Sequence, residues 1–334
     1  MAAPFRPRVL AIAAKIETTS GTDSVPTLAS NALNLVGIPS LNLNYLETGV
    51  RDDVTTGVLG TVDRAAPAGR NVSFDMTLEV KGYGAAYSGA NRPEADVPLR
   101  AGGRSATVVT TGGSESVTYL TLDDAMETAT FYCWTANKLF KLVGCTAKMK
   151  FAAVVNQRAF FTFTVQGKLT TDPATTAFSA PTLNMTVPPI FNGAAANIGL
   201  WLTSSGEPLV IRSVGFDDGA SVTERPSAGA TDGLIGWIIN DRKPRLEMDA
   251  EQVTLSTFDP YAASKQNSSG AIDTKPVFQV GSVQYNRMRF YGGRWALEAP
   301  DHGDVNNLSG WKLKGALVLG TESVGLRESR IVFD

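Results

Sequence analysis

Gly69-Arg70-Asn71-Val72-Ser73-Phe74-Asp75-Met76-Thr77-Leu78-Glu79 and Asp241-Arg242-Lys243-Pro244-Arg245-Leu246-Glu247-Met248-Asp249-Ala250-Glu251 read as one strand written twice. In each copy an arginine leads into alternating apolar and acidic residues. Successive side chains on a strand point to opposite faces. Each copy therefore has an apolar face, Phe74, Met76, Leu78 and Leu246, Met248, Ala250, suited to a core. Each also has a polar face: Asp75, Thr77, Glu79 and Glu247, Asp249, Glu251. Arg70 and Arg242 stand 172 residues apart, about half of the 334. That period is too long for a solenoid and suits two similar β domains in tandem.

The flanks repeat loosely. Ile38 to Leu46 is a short strand-like stretch ahead of the first copy, and Leu209 to Phe216 precedes the second. Between strand and repeated strand lie polar segments, Glu47 to Gly69 and Asp217 to Asp241. Loops this long inside a domain are uncommon and are usually functional. Downstream, Phe131 to Trp134 and Lys138 to Val143 flank a short turn, and Ala159 to Val165 alternates. Val277 to Tyr291 and Arg294 to Ala299 flank Gly292-Gly293, which predicts a two-residue hairpin. Trp311 to Leu319 is expected to be the closing strand. Helical signal is confined to Pro93–Gly102 and, after the cap-like Asp259-Pro260, Tyr261 to Lys265.

Composition supports strands. The chain has 43% hydrophobic residues, enough for real cores, and 32 Gly with 17 Pro argue against a helical bundle. A net charge of −2 excludes a generic nucleic-acid binder. Val9 to Ala14 is too short for a signal-peptide core or a membrane span. Cys133 and Cys145 sit in strand-like stretches, where a buried thiol is expected.

Catalytic constellations are missing from the sequence. The single histidine, His302, has no partner His or Cys nearby, so no metal site is expected. Gly82-Tyr83-Gly84 fails the dinucleotide spacing, and neither a phosphate-binding lysine loop nor a nucleophile elbow occurs. The stretch from Tyr285 to Tyr291 interleaves Arg287 and Arg289 with aromatics, and reads as a hairpin rather than a base-stacking platform. No enzyme and no cofactor are expected.

The N-terminal run Lys15-Ile16-Glu17, Gly21-Thr22-Asp23, Pro26-Thr27, Asn31-Ala32 resembles the start of major tail tube proteins of long-tailed, non-contractile bacteriophages. Further likenesses follow in order: Glu47 with Arg51-Asp52, Gly69-Arg70 entering the alternating strand, Pro98-Leu99-Arg100-Ala101-Gly102, and Leu139 to Gly144. The resemblance covers residues 8 to 185; the second half joins it only through the internal repeat. Gly102-Gly103 departs from it, standing where a bulkier pair is common, as does Ser20, where an aromatic is common.

The resemblance implies a mainly β fold: two tandem tail-tube-like antiparallel β-sandwich domains, 1–185 with an N-terminal arm and 186–334. Each would carry a short flanking helix and a long inter-ring loop. It implies a structural protein whose trimeric rings, with pseudo-six-fold symmetry, stack into the virion tail tube. Assembly would occur in the host cytoplasm, with no membrane. Expected partners are further copies of the chain, a tape-measure protein, a tail terminator, and double-stranded DNA passing without sequence-specific binding. The repeated acids and Thr77 are the expected channel lining: Asp75, Thr77, Glu79, Glu247, Asp249 and Glu251. Ring-to-ring contacts are expected from Arg51, Asp52, Asp53, Asp63, Arg64, Glu224 and Arg225. The alternatives are another virion β protein, such as a tail terminator or head decoration, or a tandem carbohydrate-binding module using Trp201, Trp237 and Trp295.

Overall fold

The computed structural model describes residues 10–42, 47–51, 63–68, 71–135, 138–176, 178–192, 199–201, 209–230, 233–269, 275–305, 308–319 and 327–334. Strands β1 (Leu10–Ile16), β2 (Ser40–Asn42), β3 (Glu47–Arg51), β4 (Asp63–Ala68) and β5 (Asn71–Glu79) precede helix α1 (Asp96–Ala101). Next come β6 (Arg104–Val109), β7 (Ser116–Thr121), β8 (Ala129–Thr135), β9 (Lys138–Val154), β10 (Phe160–Leu169), β11 (Ala174–Thr175) and β12 (Gly199–Trp201). Then β13 (Ile211–Asp217), β14 (Ala220–Pro226), β15 (Leu234–Arg242) and β16 (Arg245–Glu251) lead to helix α2 (Pro260–Ser269). The chain closes with β17 (Lys275–Val280), β18 (Met288–Gly292), β19 (Arg294–Leu297), β20 (Asp301–Val305), β21 (Leu308–Val318) and β22 (Ser329–Phe333).

The fold is mainly β and its ladders are antiparallel. A twelve-stranded sheet has the main order β19-β21-β16-β13-β9-β10-β5-β2, with β20 beside β21 and β8 and β1 beyond β9. Taken from the β2 edge, β2-β5-β10-β9 is followed by β13-β16-β21 and then β19 and β20. The same scheme runs twice in one direction: a strand, the repeated strand, then the second and first arms of a later hairpin. A six-stranded sheet, β12-β17-β18-β22-β7-β6, lacks that repetition. In it the C-terminal strand β22 sits between β18 and β7 and so ties the end of the chain to its first half.

The apolar faces of both repeated strands enter the core: Phe74, Met76, Leu78, Leu246, Met248 and Ala250 are all buried. The two sheets face each other through aromatic contacts. Phe151 stacks on Phe278 with centroids 5.1 Å apart, and Phe216 meets Phe290 at 4.9 Å. Aromatic pairs at such distances add stability beyond area burial.

Three sequence expectations need correction. Gly292-Gly293 is not a hairpin turn: β18 lies in the six-stranded sheet, whereas β19 lies in the twelve-stranded one. The glycine is needed for close approach, because a Cβ on Gly292 would fall 2.5 Å from Pro276 Cγ. The strand at Trp311 is not the closing one, since β22 follows it. The two long polar segments are not plain loops; each contains a two-stranded hairpin, β3–β4 and β14–β15. Both helices fall where expected. Asp259 caps α2, its Oδ1 accepting from the backbone N–H of Tyr261 and Ala262 at 2.9 and 3.0 Å.

Candidate functional site: the polar face and free edges of the long sheet

Asp75, Thr77, Glu79, Glu247, Asp249 and Glu251 share one face of the twelve-stranded sheet, opposite the core. Their positions follow from the period-two alternation of β5 and β16. Asp75 and Glu247 are exposed and the others half-buried.

Lysines interleave with these acids. Glu247 and Asp249 stand opposite Lys314 and Lys312 on β21, and Lys148 and Lys150 stand opposite Thr164 and Thr162. Several charges are also paired directly. Glu251 accepts from Arg212 at 2.7 Å, Asp249 accepts from Ser213 Oγ at 2.7 Å, and Glu79 accepts from Arg158 at 2.5 Å. Lys314 donates to Asp301 at 2.8 Å, which lowers the Asp301 carboxyl pKa and raises that of the ammonium. The face is thus charge-compensated rather than acidic. The four lysines were legible as i, i+2 pairs in β9 and β21, although the acids alone drew attention.

The two halves of the sheet meet where β13 pairs with β9: Gly215 opposite Ala152, Phe216 opposite Phe151, Asp217 opposite Lys150. Lys150 Nζ lies 3.0 Å from Asp217 Oδ2, and this hydrogen bond raises the lysine pKa. Arg242, the arginine of the second repeat, reaches across the same junction. Its guanidinium donates to the carbonyls of Leu122, Gly102 and Gly103 at 2.9, 2.8 and 3.0 Å. Gly103 has φ +69, and a Cβ there would lie 2.1 Å from Arg242 Nη2, so the Gly102-Gly103 pair makes room for this contact. Nearby, fully buried Arg104 donates to Ser329 Oγ at 3.0 Å, and burial lowers its pKa to about 10. Burial also raises the carboxyl pKa of Asp218, against the pull of Arg104.

Of the residues expected between rings, Arg51, Asp63, Arg64, Glu224 and Arg225 fall on the two hairpins. Arg51 on β3 pairs in register with Asp63 on β4, and Arg64 follows on β4. Asp52 and Asp53 lie outside the described residues. Glu224 and Arg225 are exposed on β14, and Glu224 accepts from Asn71 Nδ2 at 3.0 Å. The β14–β15 hairpin lies on β9 and β10 of the first half, with Leu234, Trp237 and Ile239 buried and Lys168 Nζ 3.4 Å from the Leu234 carbonyl.

Other candidates settle into structural roles. Arg287 makes two hydrogen bonds to the Asp334 side chain, both 2.7 Å, while Met288 and Phe290 enter the core. Trp237 and Trp295 are buried and offer no sugar platform; the Trp201 side chain lies outside the described residues. Cys133 and Cys145 are buried free thiols. His302 is exposed on β20, and its Nε2 hydrogen-bonds Tyr261 Oη. A groove of about 820 Å³ runs beside α1, and charged residues along it pair with one another: Arg92 and Arg100 with Asp96. Among the described residues, no cluster of three or more His, Cys, Asp or Glu forms a metal site, and no helix is long and apolar enough to cross a membrane.

A scan against protein-family models finds no match, and a search of curated proteins finds none similar in sequence.

Proposed function

We propose that this chain is a structural subunit of a virion tail tube, the conduit through which double-stranded DNA leaves the capsid. Two tube-type domains, 1–185 and 186–334, make up each chain, so three chains supply six for one ring. Rings stack into the tube, meeting a tape-measure protein inside and a terminator at the end. The observation that carries this reading is the tandem strand order of the long sheet, β2-β5-β10-β9 and then β13-β16-β21 with β19 and β20. A sheet built from two like units in one direction adds further units by the same step, and head-to-tail contacts that close give rings. The N-terminal resemblance supports the same assignment independently.

The charge-compensated polar face suits a conduit. Basic side chains in excess would hold DNA by counterion release. The test is electron microscopy of the purified, concentrated protein. Hollow filaments built of three-chain rings are expected. Single rings that never stack would favour a terminator, and isolated monomers at high concentration would overturn the reading.

A further inference from the structure

Lys81 follows the first repeated strand, and its side chain is only 1% exposed. A lysine seldom sits so deep without partners. Its ammonium donates to the Asn184 carbonyl at 2.7 Å and lies 3.2 Å from Glu94 Oε2 and 3.8 Å from Glu79 Oε2. Glu79 is also held by Arg158, through its other oxygen. Glu94 is placed differently. Its side chain is 4% exposed, and Oε2 accepts no hydrogen bond although the Lys81 ammonium stands beside it. A buried oxygen left in that state calls for an explanation.

A carboxamide completes the cluster. Leu35 bridges Leu78, and the Val36 N–H donates to the Thr77 carbonyl at 2.9 Å, so this segment runs antiparallel beside the end of β5. That register sets Asn34 opposite Glu79 and diagonal to Lys81, within reach of a long side chain. Glu94 Oε1 accepts from the Asn34 backbone N–H. Asn34 Nδ2 donates to the Asn184 carbonyl at 3.3 Å, the same oxygen that accepts from Lys81 Nζ. The amide and amine nitrogens thus converge on one acceptor, and Glu94 adjoins both residues.

We infer that Lys81, Asn34 and Glu94 form a self-linking site, in which Lys81 Nζ becomes joined to Asn34 Cγ by an isopeptide bond. The chemistry balances without a cofactor. Glu94 takes one proton from the Lys81 ammonium, which lies within general-base reach. The free amine attacks Asn34 Cγ, and the bond from Cγ to Nδ2 breaks. The departing nitrogen receives the proton held by Glu94 and a second proton from the attacking amine, and leaves as ammonium. Glu94 is then a carboxylate again, and nothing is oxidised or reduced. Burial raises the Glu94 pKa against the pull of Lys81, which suits a proton acceptor. Packing holds amine and amide together, so no bimolecular encounter is needed. The groove beside α1 is lined by Glu94 and Asn184 and gives the ammonium a way out. The bond would fix the segment ahead of β2 to the end of β5. It goes beyond the tube reading and does not depend on it.

The test is intact-mass spectrometry of the purified full chain, followed by tryptic mapping. The folded protein should weigh one ammonia less than its sequence. Cleavage after Lys81 should be lost, and a branched peptide should join Lys81 to Asn34. Asn34→Asp should form the same bond with loss of one water in place of ammonia, a shift that a packing role for Asn34 does not produce. Glu94→Gln, close in shape, should link about a hundredfold more slowly, so that the freshly purified chain keeps its full mass. A folded wild-type chain at its full sequence mass would overturn the cross-link. So would an ammonia loss that maps elsewhere, such as a succinimide at another asparagine. A branch from Lys81 to Asn184 would overturn the choice of Asn34, and wild-type linkage in Glu94→Gln would overturn the role of Glu94.

Discussion

Lys150 and Asp217 join the two halves of the long sheet on its polar side, Nζ to Oδ2 at 3.0 Å, one residue along from the buried pair Phe151 and Phe216. The two contacts differ sharply in energetic weight. The ion pair is largely exposed, with side-chain exposures of 68% and 44%, and such pairs contribute about 0–1 kcal/mol. Phe216 fills space between the sheets, and truncating a buried phenylalanine costs about 3–5 kcal/mol. In urea unfolding, Asp217→Asn should therefore lower stability by less than about 1 kcal/mol and Phe216→Ala by several times more. The reverse order would mean that charge, not packing, holds the junction.

Glu17, in the Lys15-Ile16-Glu17 run, is buried and accepts four hydrogen bonds. The donors are the Gly21 and Gly144 N–H groups at 2.7 and 2.8 Å and the Thr128 and Thr130 hydroxyls at 2.6 and 2.9 Å. It ties the N-terminal segment to the β8–β9 hairpin. Glu17→Ala would leave several donors unsatisfied, at a cost of about 1–3 kcal/mol for each that water does not reach. Denaturant midpoints should fall clearly for Glu17→Ala and less for Glu17→Gln. Equal midpoints for wild type and Glu17→Ala would remove Glu17 from this role.

Asp218 gives a pH dependence of defined sign. Burial raises its folded pKa above the ordinary carboxylate value despite Arg104 and Arg242 nearby. Between the unfolded and folded pKa values, only the folded state holds the proton. The resulting stabilisation is complete below the unfolded pKa and is lost as pH rises through the folded one. Asp218→Asn removes this titration. From about pH 4 to neutrality, the melting temperature of the variant should gain on that of wild type. A shift in wild type's favour over that range would contradict the raised pKa.

The parts of the fold carried by alternation were open to reading from sequence: β5, β10, β16 and β21 each show period two, and their apolar positions fill the core. The parts carried by distant partners were not. Nothing around Ile331 or Tyr119 signals that β22 pairs with β7, because a strand's neighbours leave no mark on its own sequence. Gly292-Gly293 carries a turn composition but serves close packing against Pro276, and composition alone does not separate the two. The hairpins within the long polar segments were hidden by polar strands such as β14, whose Ser221, Thr223, Glu224 and Arg225 stay exposed. The acids of the candidate lining were found from the repeat. Their lysine neighbours were missed because cross-strand register brings them together.

The polar face leads to the last prediction, which rests on the tube reading. With Lys148, Lys150, Lys312 and Lys314 among the acids, a lumen lined by this face would bear little net charge. DNA would neither be held nor strongly repelled. Changing Asp75, Glu79, Glu247 and Glu251 to Lys would remove four acids from the face and add four cations, leaving Asp217, Asp249 and Asp301 against all the lysines, and would give the face a strong positive potential. Counterion release would then bind the passing duplex, and the affinity gained would fall steeply with salt. Asp75 and Glu247 are exposed and Glu251 is half-buried, but Glu79 lies 3.8 Å from the buried Lys81 ammonium, so tubes carrying the substitutions are to be checked by microscopy before release is measured. Genome release from such particles, followed by dye fluorescence, should slow markedly at low salt and approach the wild-type rate as salt is raised. Screening shortens the reach of these charges to about 8 Å at physiological ionic strength, which sets the range over which recovery should appear. Unchanged release at low salt, with intact tubes, would place these four residues outside the lumen.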